Sequence, residues 1–228
     1  RGGRVTKEDV QRYVKLLVHK VATASTTAGG AGIPAIPVID FARFGEVAML
    51  PLTRIDKITR DNMHRSWLNV PHVTQWDEAD VTDLEEFRAD MKSDMEKRKI
   101  KLTPLAFLLK ASANALREHP KFNRSLHSDG DNFVQKNYIH IGVAVDTPMG
   151  LMVPVIRDVD KKALWDIGAE IAVLSEKARN GKLMPADMQG GCFTISSLGA
   201  MGGQGFTPIV NAPEVAIMGV SKTQVKPV

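Results

Sequence analysis

One cysteine in 228 residues, Cys192, excludes an internal disulfide and leaves no cysteine cluster for zinc. It suits a reducing compartment. With no base near it in sequence, it reads as a buried small hydrophobe rather than a nucleophile. No apolar run approaches the ~20 residues that span a bilayer, and the N-terminus carries no signal-peptide core, so the chain is expected to be soluble with no membrane partner. Charge is also unevenly supplied. The formal net charge of +4 is held within residues 1–20, where Arg1, Arg4, Lys7, Arg12, Lys15 and Lys20 face Glu8 and Asp9, and the remainder is formally neutral. A neutral body is a poor partner for nucleic acid, whereas a small basic end suits docking to an acidic protein surface.

What is present is enough for one domain with a full core and short appendages, at 43% hydrophobic residues. Thr6 and Asp9 have capping-box spacing, and Val10, Tyr13, Val14, Leu17 and Val18 then fall at helical spacing over residues 1–20. Residues 21–40 are rich in Ala, Gly, Thr and Pro and almost free of charge, as a mobile linker would be. The globular part is expected over 41–228.

Leu52, Ile55, Ile58, Met63 and Trp67 predict a first helix that ends before Asn69-Val70-Pro71. A strand is expected over His72 to Asp80. Thr82 and Glu85 have capping-box spacing for a second helix with Leu84, Phe87, Met91 and Met95 on one face, running to the Glu96-Lys97-Arg98-Lys99 cluster. Thr103 as N-cap and Pro104 as N1 open a third helix that stops at His119-Pro120, with Leu105, Leu108, Leu109, Ser112 and Leu116 inward. Tyr138 to Asp146 and Leu151 to Arg157 read as two strands around Thr147-Pro148-Met149-Gly150, with bulky Ile139, Ile141, Val143 and Val145 turned to the core. A fourth helix is expected over Lys161 to Arg179 with Asn180-Gly181 as its C-cap, and a last strand over Glu214 to Val220. Helices alternating irregularly with strands point to an α/β two-layer fold with a mixed sheet.

The chemistry is expected at Gly190-Gly191-Cys192-Phe193-Thr194-Ile195-Ser196-Ser197-Leu198-Gly199, a short strand bracketed by glycines that delivers two hydroxyls to a tight corner. Thr194, one alternation from Ser196, shares its face. Phe206 reads either as a lid beside the site or as a core ring, and Asn211 as a turn amide or a site residue. Gly199 to Gly205 fits neither the Rossmann nor the P-loop spacing, so flexibility beside the serines is the more economical reading. Arg60 and Arg65 are solvated helical charges or phosphate contacts.

Phe193-Thr194-Ile195-Ser196-Ser197 followed by Pro208-Ile209-Val210-Asn211-Ala212-Pro213-Glu214-Val215-Ala216-Ile217 resembles the acyltransferase component of the 2-oxo acid dehydrogenase complexes. Within that family, the Cys-Phe-Thr-Ile-Ser-Ser wording resembles the pyruvate dehydrogenase branch. Residues 2–10 resemble the end of a peripheral subunit-binding domain, which makes residues 1–20 a remnant of that domain. The resemblance implies a chloramphenicol acetyltransferase-like α/β fold, trimers that assemble into a hollow core of twenty-four subunits, and docking of the dehydrogenase and dihydrolipoamide dehydrogenase components. The location implied is the cytoplasm of a bacterium or the mitochondrial matrix of a eukaryote. No metal is implied.

The implied reaction moves acetyl from the sulfur of a dihydrolipoyl arm, carried on a separate domain, to coenzyme A. By motif position Ser196 steadies the oxyanion, with Ser197 as the alternative if the register is off by one. Thr194, Phe206 over the pantetheine channel, and Asn211 are the further candidates for the substrate site. The family's base is a histidine within Asp-His-Arg-x-x-x-Asp-Gly, and no Asp-His-Arg occurs in this sequence. His72, in Val70-Pro71-His72-Val73-Thr74, resembles a recurrent family feature and reads as a hydrogen-bonded structural histidine or, alternatively, a substitute base. The chain is accordingly expected to be a C-terminally cut acyltransferase, unable to transfer acetyl by itself. Two alternatives of other kinds are a non-catalytic assembly scaffold and an acyltransferase serving another 2-oxo acid or another acceptor.

Overall fold

The computed structural model describes residues 36–199 and 202–226, with helical backbone at the separate positions Lys7, Val10, Gln11 and Tyr13. The rest of the basic segment over 1–20, including its Thr6 cap, and the expected linker up to residue 35 lie outside the described residues. The chain divides into two units, Arg1–Pro51 and Leu52–Val228. In the first, Asp40 caps a single 3-10 turn over Phe41–Arg43 by accepting the Ala42 amide at 3.2 Å.

The second unit begins with helix α1, Arg54–Asn69. Its start is a capping box: Thr53 Oγ1 accepts the Asp56 amide at 3.2 Å while Asp56 accepts the Thr53 amide at 2.9 Å. It ends before Val70-Pro71, as the proline requires. Helices α2, Thr82–Asp90, and α3, Lys92–Arg98, replace the one helix expected there. They break at Met91, and Lys99 ends α3 in the left-handed region with φ of 55°. The expected Thr82–Glu85 capping box does not form. Asp80 sits two residues upstream and takes both the Thr82 amide at 2.9 Å and the Thr82 hydroxyl at 2.6 Å, while Glu85 pairs with Arg88.

Helix α4, Pro104–Glu118, opens with proline at its first turn and ends at His119, where the following proline stops it. Thr103 stands at the N-cap, but its side chain makes no capping bond. The chain then pairs β1, Arg124–Leu126, with β2, Phe133–Gln135, in an antiparallel hairpin around Asp129. Strand β3, Ile141–Val143, runs antiparallel to β4, Val155–Ile156, around the Thr147–Gly150 turn. Helix α5, Leu164–Arg179, starts three residues later than expected and closes on Asn180 and Gly181. Strand β5, Phe193–Ser197, and β6, Ile217–Val220, complete a four-stranded mixed sheet in the order β4-β3-β5-β6, with β3, β5 and β6 mutually parallel.

Strand alternation divides the sheet into two faces. Ile141, Val143 and Ile195 point one way and form a core with Ala106, Leu109, Ala113 and Leu116 of α4 and Ile167, Leu174 and Ala178 of α5. Gly142, Thr194, Ser196 and Gly219 occupy the other face by register.

Residues His72 to Asp80 do not form the expected strand. A strand needs a ladder partner and a covered face. Here Val73 is 96% exposed and Trp76 55% exposed, and the His72 ring holds the segment instead. The Val210 amide donates to His72 Nε2 at 2.9 Å, so the proton resides on Nδ1, which donates to the Val70 carbonyl at 2.7 Å. His72→Ala leaves the Val210 amide without its acceptor and is expected to cost about 1–3 kcal/mol. Urea unfolding at the parental midpoint would show that this pin carries no stability.

Candidate active site

The glycine-bracketed stretch forms β5 and the corner after it. Strand β5 lies between two parallel neighbours, its last residues pairing Ser196 with Gly219 and Ser197 with Val220. Beyond it the Leu198 amide bonds the Val220 carbonyl at 2.9 Å, and the Gly202 amide bonds the Leu198 carbonyl at 3.1 Å. Gly202 and Gly203 take φ of 82° and 94°, a turn that side-chain-bearing residues resist. The strand is thus cut off sharply, and its last side chains stand at an edge.

The two serines are not equivalent. Ser196 is half-buried on the Thr194 face, and among the described residues its hydroxyl makes no hydrogen bond. Ser197 is exposed on the opposite, Ile195 side, where its hydroxyl accepts the Gly199 amide at 3.4 Å and so belongs to the turn. A Cβ at Gly219 would lie 3.1 Å from both Phe206 Cζ and Pro208 Cδ. Phe206 therefore packs on the strand position beside Ser196, partly exposed and outside the main core cluster.

Thr194 and Asn211 are drawn to a carboxylate that the sequence reading passed over. Thr194 is 1% exposed, and its hydroxyl donates to Glu214 Oε1 at 3.0 Å rather than opening onto solvent. The Asn211 amide donates to the same oxygen at 3.4 Å, and the Glu214 backbone amide donates to the Asn211 carbonyl at 3.0 Å. Burial pushes Glu214 up to about 7, against the lowering by Thr194, Asn211 and Lys136. The available signal was one acidic residue inside an otherwise apolar run, Ala212 to Val220, directly after Pro213.

Cys192 is fully buried, with its thiol 3.0 Å from the His140 carbonyl, and burial raises its pKa, which keeps it a neutral thiol. Among the described residues no histidine hydrogen-bonds Ser196. His72 is committed to Val70 and Val210. His140 accepts the Asp158 amide at 3.0 Å, and His127 meets Asp129 in the hairpin turn. Arg60 pairs with Asp61 in the open, and Arg65 is exposed on the same helix. No three His, Cys, Asp or Glu side chains come together as a metal site among the described residues, and no described helix is long and apolar enough to cross a membrane.

Residues 44–228 match the family profile of 2-oxoacid dehydrogenases acyltransferase (catalytic domain). The dihydrolipoyllysine-residue acetyltransferase component of pyruvate dehydrogenase complex from Pseudomonas aeruginosa is 57% identical over 227 residues, 99% of this chain and 42% of the relative, so the chain spans under half of that protein. A crystallographically studied dihydrolipoamide acetyltransferase from Azotobacter vinelandii is 59% identical with a TM-score of 0.84, over 86% of this chain and 81% of that one. The cubic core of the pyruvate dehydrogenase multienzyme complex gives a TM-score of 0.84 at 58% identity, over the same shares.

Proposed function

The chain belongs to the 2-oxoacid dehydrogenase acyltransferase family as a catalytic domain, and from that premise we propose that it serves acetyl transfer between a dihydrolipoyl sulfur and the thiol of coenzyme A. The observation that carries the proposal is the end of β5, where Ser196 stands free on the Thr194 face beside Gly219 and Phe206. Attack of a thiolate on a thioester builds negative charge on the carbonyl oxygen. A hydroxyl with no competing partner is suited to meet that charge.

The relative from Pseudomonas aeruginosa works in the pyruvate dehydrogenase complex, which favours acetyl over other acyl groups and a lipoyl arm carried on another domain as donor. Ser196 is the oxyanion donor and Phe206 flanks the acceptor channel. Thr194 and Asn211 support the strand through Glu214 rather than touching substrate. The general base is a histidine from a segment of the Asp-His-Arg-x-x-x-Asp-Gly kind, which these residues do not include. Self-association into trimers and a larger core is supported by the likeness to a cubic core and by exposed apolar side chains such as Trp67, Val73 and Trp76. Dehydrogenase and dihydrolipoamide dehydrogenase components are the proposed further partners, and the cytoplasm the proposed location.

The test is acetyl transfer from acetyl-coenzyme A to free dihydrolipoamide, by this chain and by the chain continued through such a histidine segment. Transfer by the continued form alone is the expected result. Transfer by the 228-residue chain would place the base within it, and transfer by neither, with assembly intact, would favour the scaffold.

A further inference from the structure

Glu214 is the one buried carboxylate among the described residues, at 5% exposure, and its position has little to do with solubility or with an exposed ion pair. Its Oε1 gathers the Thr194 hydroxyl and the Asn211 amide, and its Oε2 is buried without a partner. A glutamine or an apolar side chain would fill the place at lower desolvation cost. Locally unfavourable choices of this kind concentrate where a site has to be held in a set geometry.

Two features make the Thr194 to Glu214 bond a fixed tether. First, the surroundings have been cleared for it: a Cβ at Gly191 would lie 3.2 Å from Glu214 Oε1, and one at Gly142 would lie 3.0 Å from Thr194 Oγ1. Second, the loop that carries Glu214 is itself held from three directions. Ser66 of α1 accepts the Ala212 amide at 3.3 Å, His72 accepts the Val210 amide at 2.9 Å, and Ser125 of β1 donates to the Pro213 carbonyl at 2.6 Å. Thr194 is therefore tied to an anchored loop, and Ser196 follows it by two residues, about 7 Å along the same strand face.

We propose that Glu214, acting through Thr194, is a positioning residue that sets where β5 presents the Ser196 hydroxyl. The proposal rests on the acyl-transfer reading above. Lys136, whose ammonium nitrogen is also buried without a partner among the described residues, is the ionisable group that acts on Glu214 there, and Glu214 in turn helps to raise the neighbouring Cys192 thiol. Lys136 favours the charged carboxylate, which is the stronger acceptor for the Thr194 hydroxyl. Glu214 and Thr194 touch no reacting atom in this scheme; they act on Ser196 only through the strand.

The test uses the chain continued through the histidine segment, with steady-state kinetics in both substrates and amide hydrogen exchange. Thr194→Val and Glu214→Ala are each expected to lower kcat about 10-fold with KM within about 2-fold, and the double variant to lose no more than either one, since both break the same tether. Thr194→Ser keeps the hydroxyl and is expected to restore most of kcat. Amide exchange at Ser196 and Ser197 should quicken about 10-fold in the valine and alanine variants and return to the parental rate in Thr194→Ser. Losses that add in the double variant, or Thr194→Val with parental kcat and exchange, would overturn the proposal. If the parent transfers no acetyl, the acyl-transfer reading fails, and the exchange rates alone decide whether the tether holds the serine: quickening supports it, parental rates overturn it.

Discussion

Ser196→Ala in the chain continued through the histidine segment is expected to slow acetyl transfer about 100- to 1000-fold, with KM for coenzyme A within about 3-fold, the pattern of a lost oxyanion donor. Ser196 and Ser197 are adjacent, so the strand puts their side chains on opposite faces and the two positions test each other. Ser197 already accepts the Gly199 amide and stands on the Ile195 side, so Ser197→Ala should cost less than about 5-fold. The loss at Ser196 should not come from unfolding. Its hydroxyl bonds nothing among the described residues, the residue is only half-buried, and a surface change of this kind stays within about 0.5 kcal/mol. Steady-state kinetics together with urea unfolding of both variants separates the two effects. A deep loss at Ser197 with a mild one at Ser196 would mean that the motif register is shifted by one residue.

Legibility of the fold in the sequence followed the strength of local rules. Proline fixed the ends of α1 and α4 because the residue before it avoids helical backbone. The Ile139, Ile141, Val143, Val145 alternation located β3 because one face is fully covered by α4 and α5. Failures occurred where a pattern depends on a partner beyond its own segment. A strand is expected over His72 to Asp80, yet the His72 ring bonds Val70 and Val210, and no ladder forms. Thr82 and Glu85 satisfy the capping spacing, but Asp80 competes for the same amide and wins by proximity. Thr53 and Asp56 have the same spacing with no competitor, and their box forms.

The site divides in the same way. The corner after β5 is written locally, in glycines that take positive φ at 202 and 203. The opposite faces of Ser196 and Ser197 follow from strand alternation once the sheet is in place. Glu214 was illegible because its meaning depends on Thr194, twenty residues away in sequence and one hydrogen bond away in space. Thr194 shows the converse: alternation placed it on the face of Ser196, but only the fold reveals that its hydroxyl is already spent on Glu214.

Stability of the second unit is expected to fall as pH rises from about 4.5 to about 7, by about 3 kcal/mol, and Glu214→Gln should abolish that decline. Burial raises the Glu214 pKa in the folded chain to about 7, so over this window the folded state binds more protons than the unfolded one. The favourable contribution is complete below the unfolded value and is lost as the carboxyl ionises through the folded one. The hydrogen-bonded carboxylates act with the opposite sign and in a different window. Asp129, lowered to about 2 by bonds from Asn132 and Asp131, contributes stability above the usual carboxylate value that is lost as pH falls through about 2. The two limbs do not overlap, and urea unfolding at half-unit steps from about pH 1.5 to about pH 8 resolves them. The difference between parent and Glu214→Gln isolates the buried carboxyl, because every other titrating group is common to both. A parent curve flat between pH 4.5 and pH 7, or an unchanged slope in the glutamine variant, would mean that Glu214 is ionised in the fold across that range. Its partner would then be the Lys136 ammonium, and Lys136→Met would have to raise the Glu214 pKa into the same window.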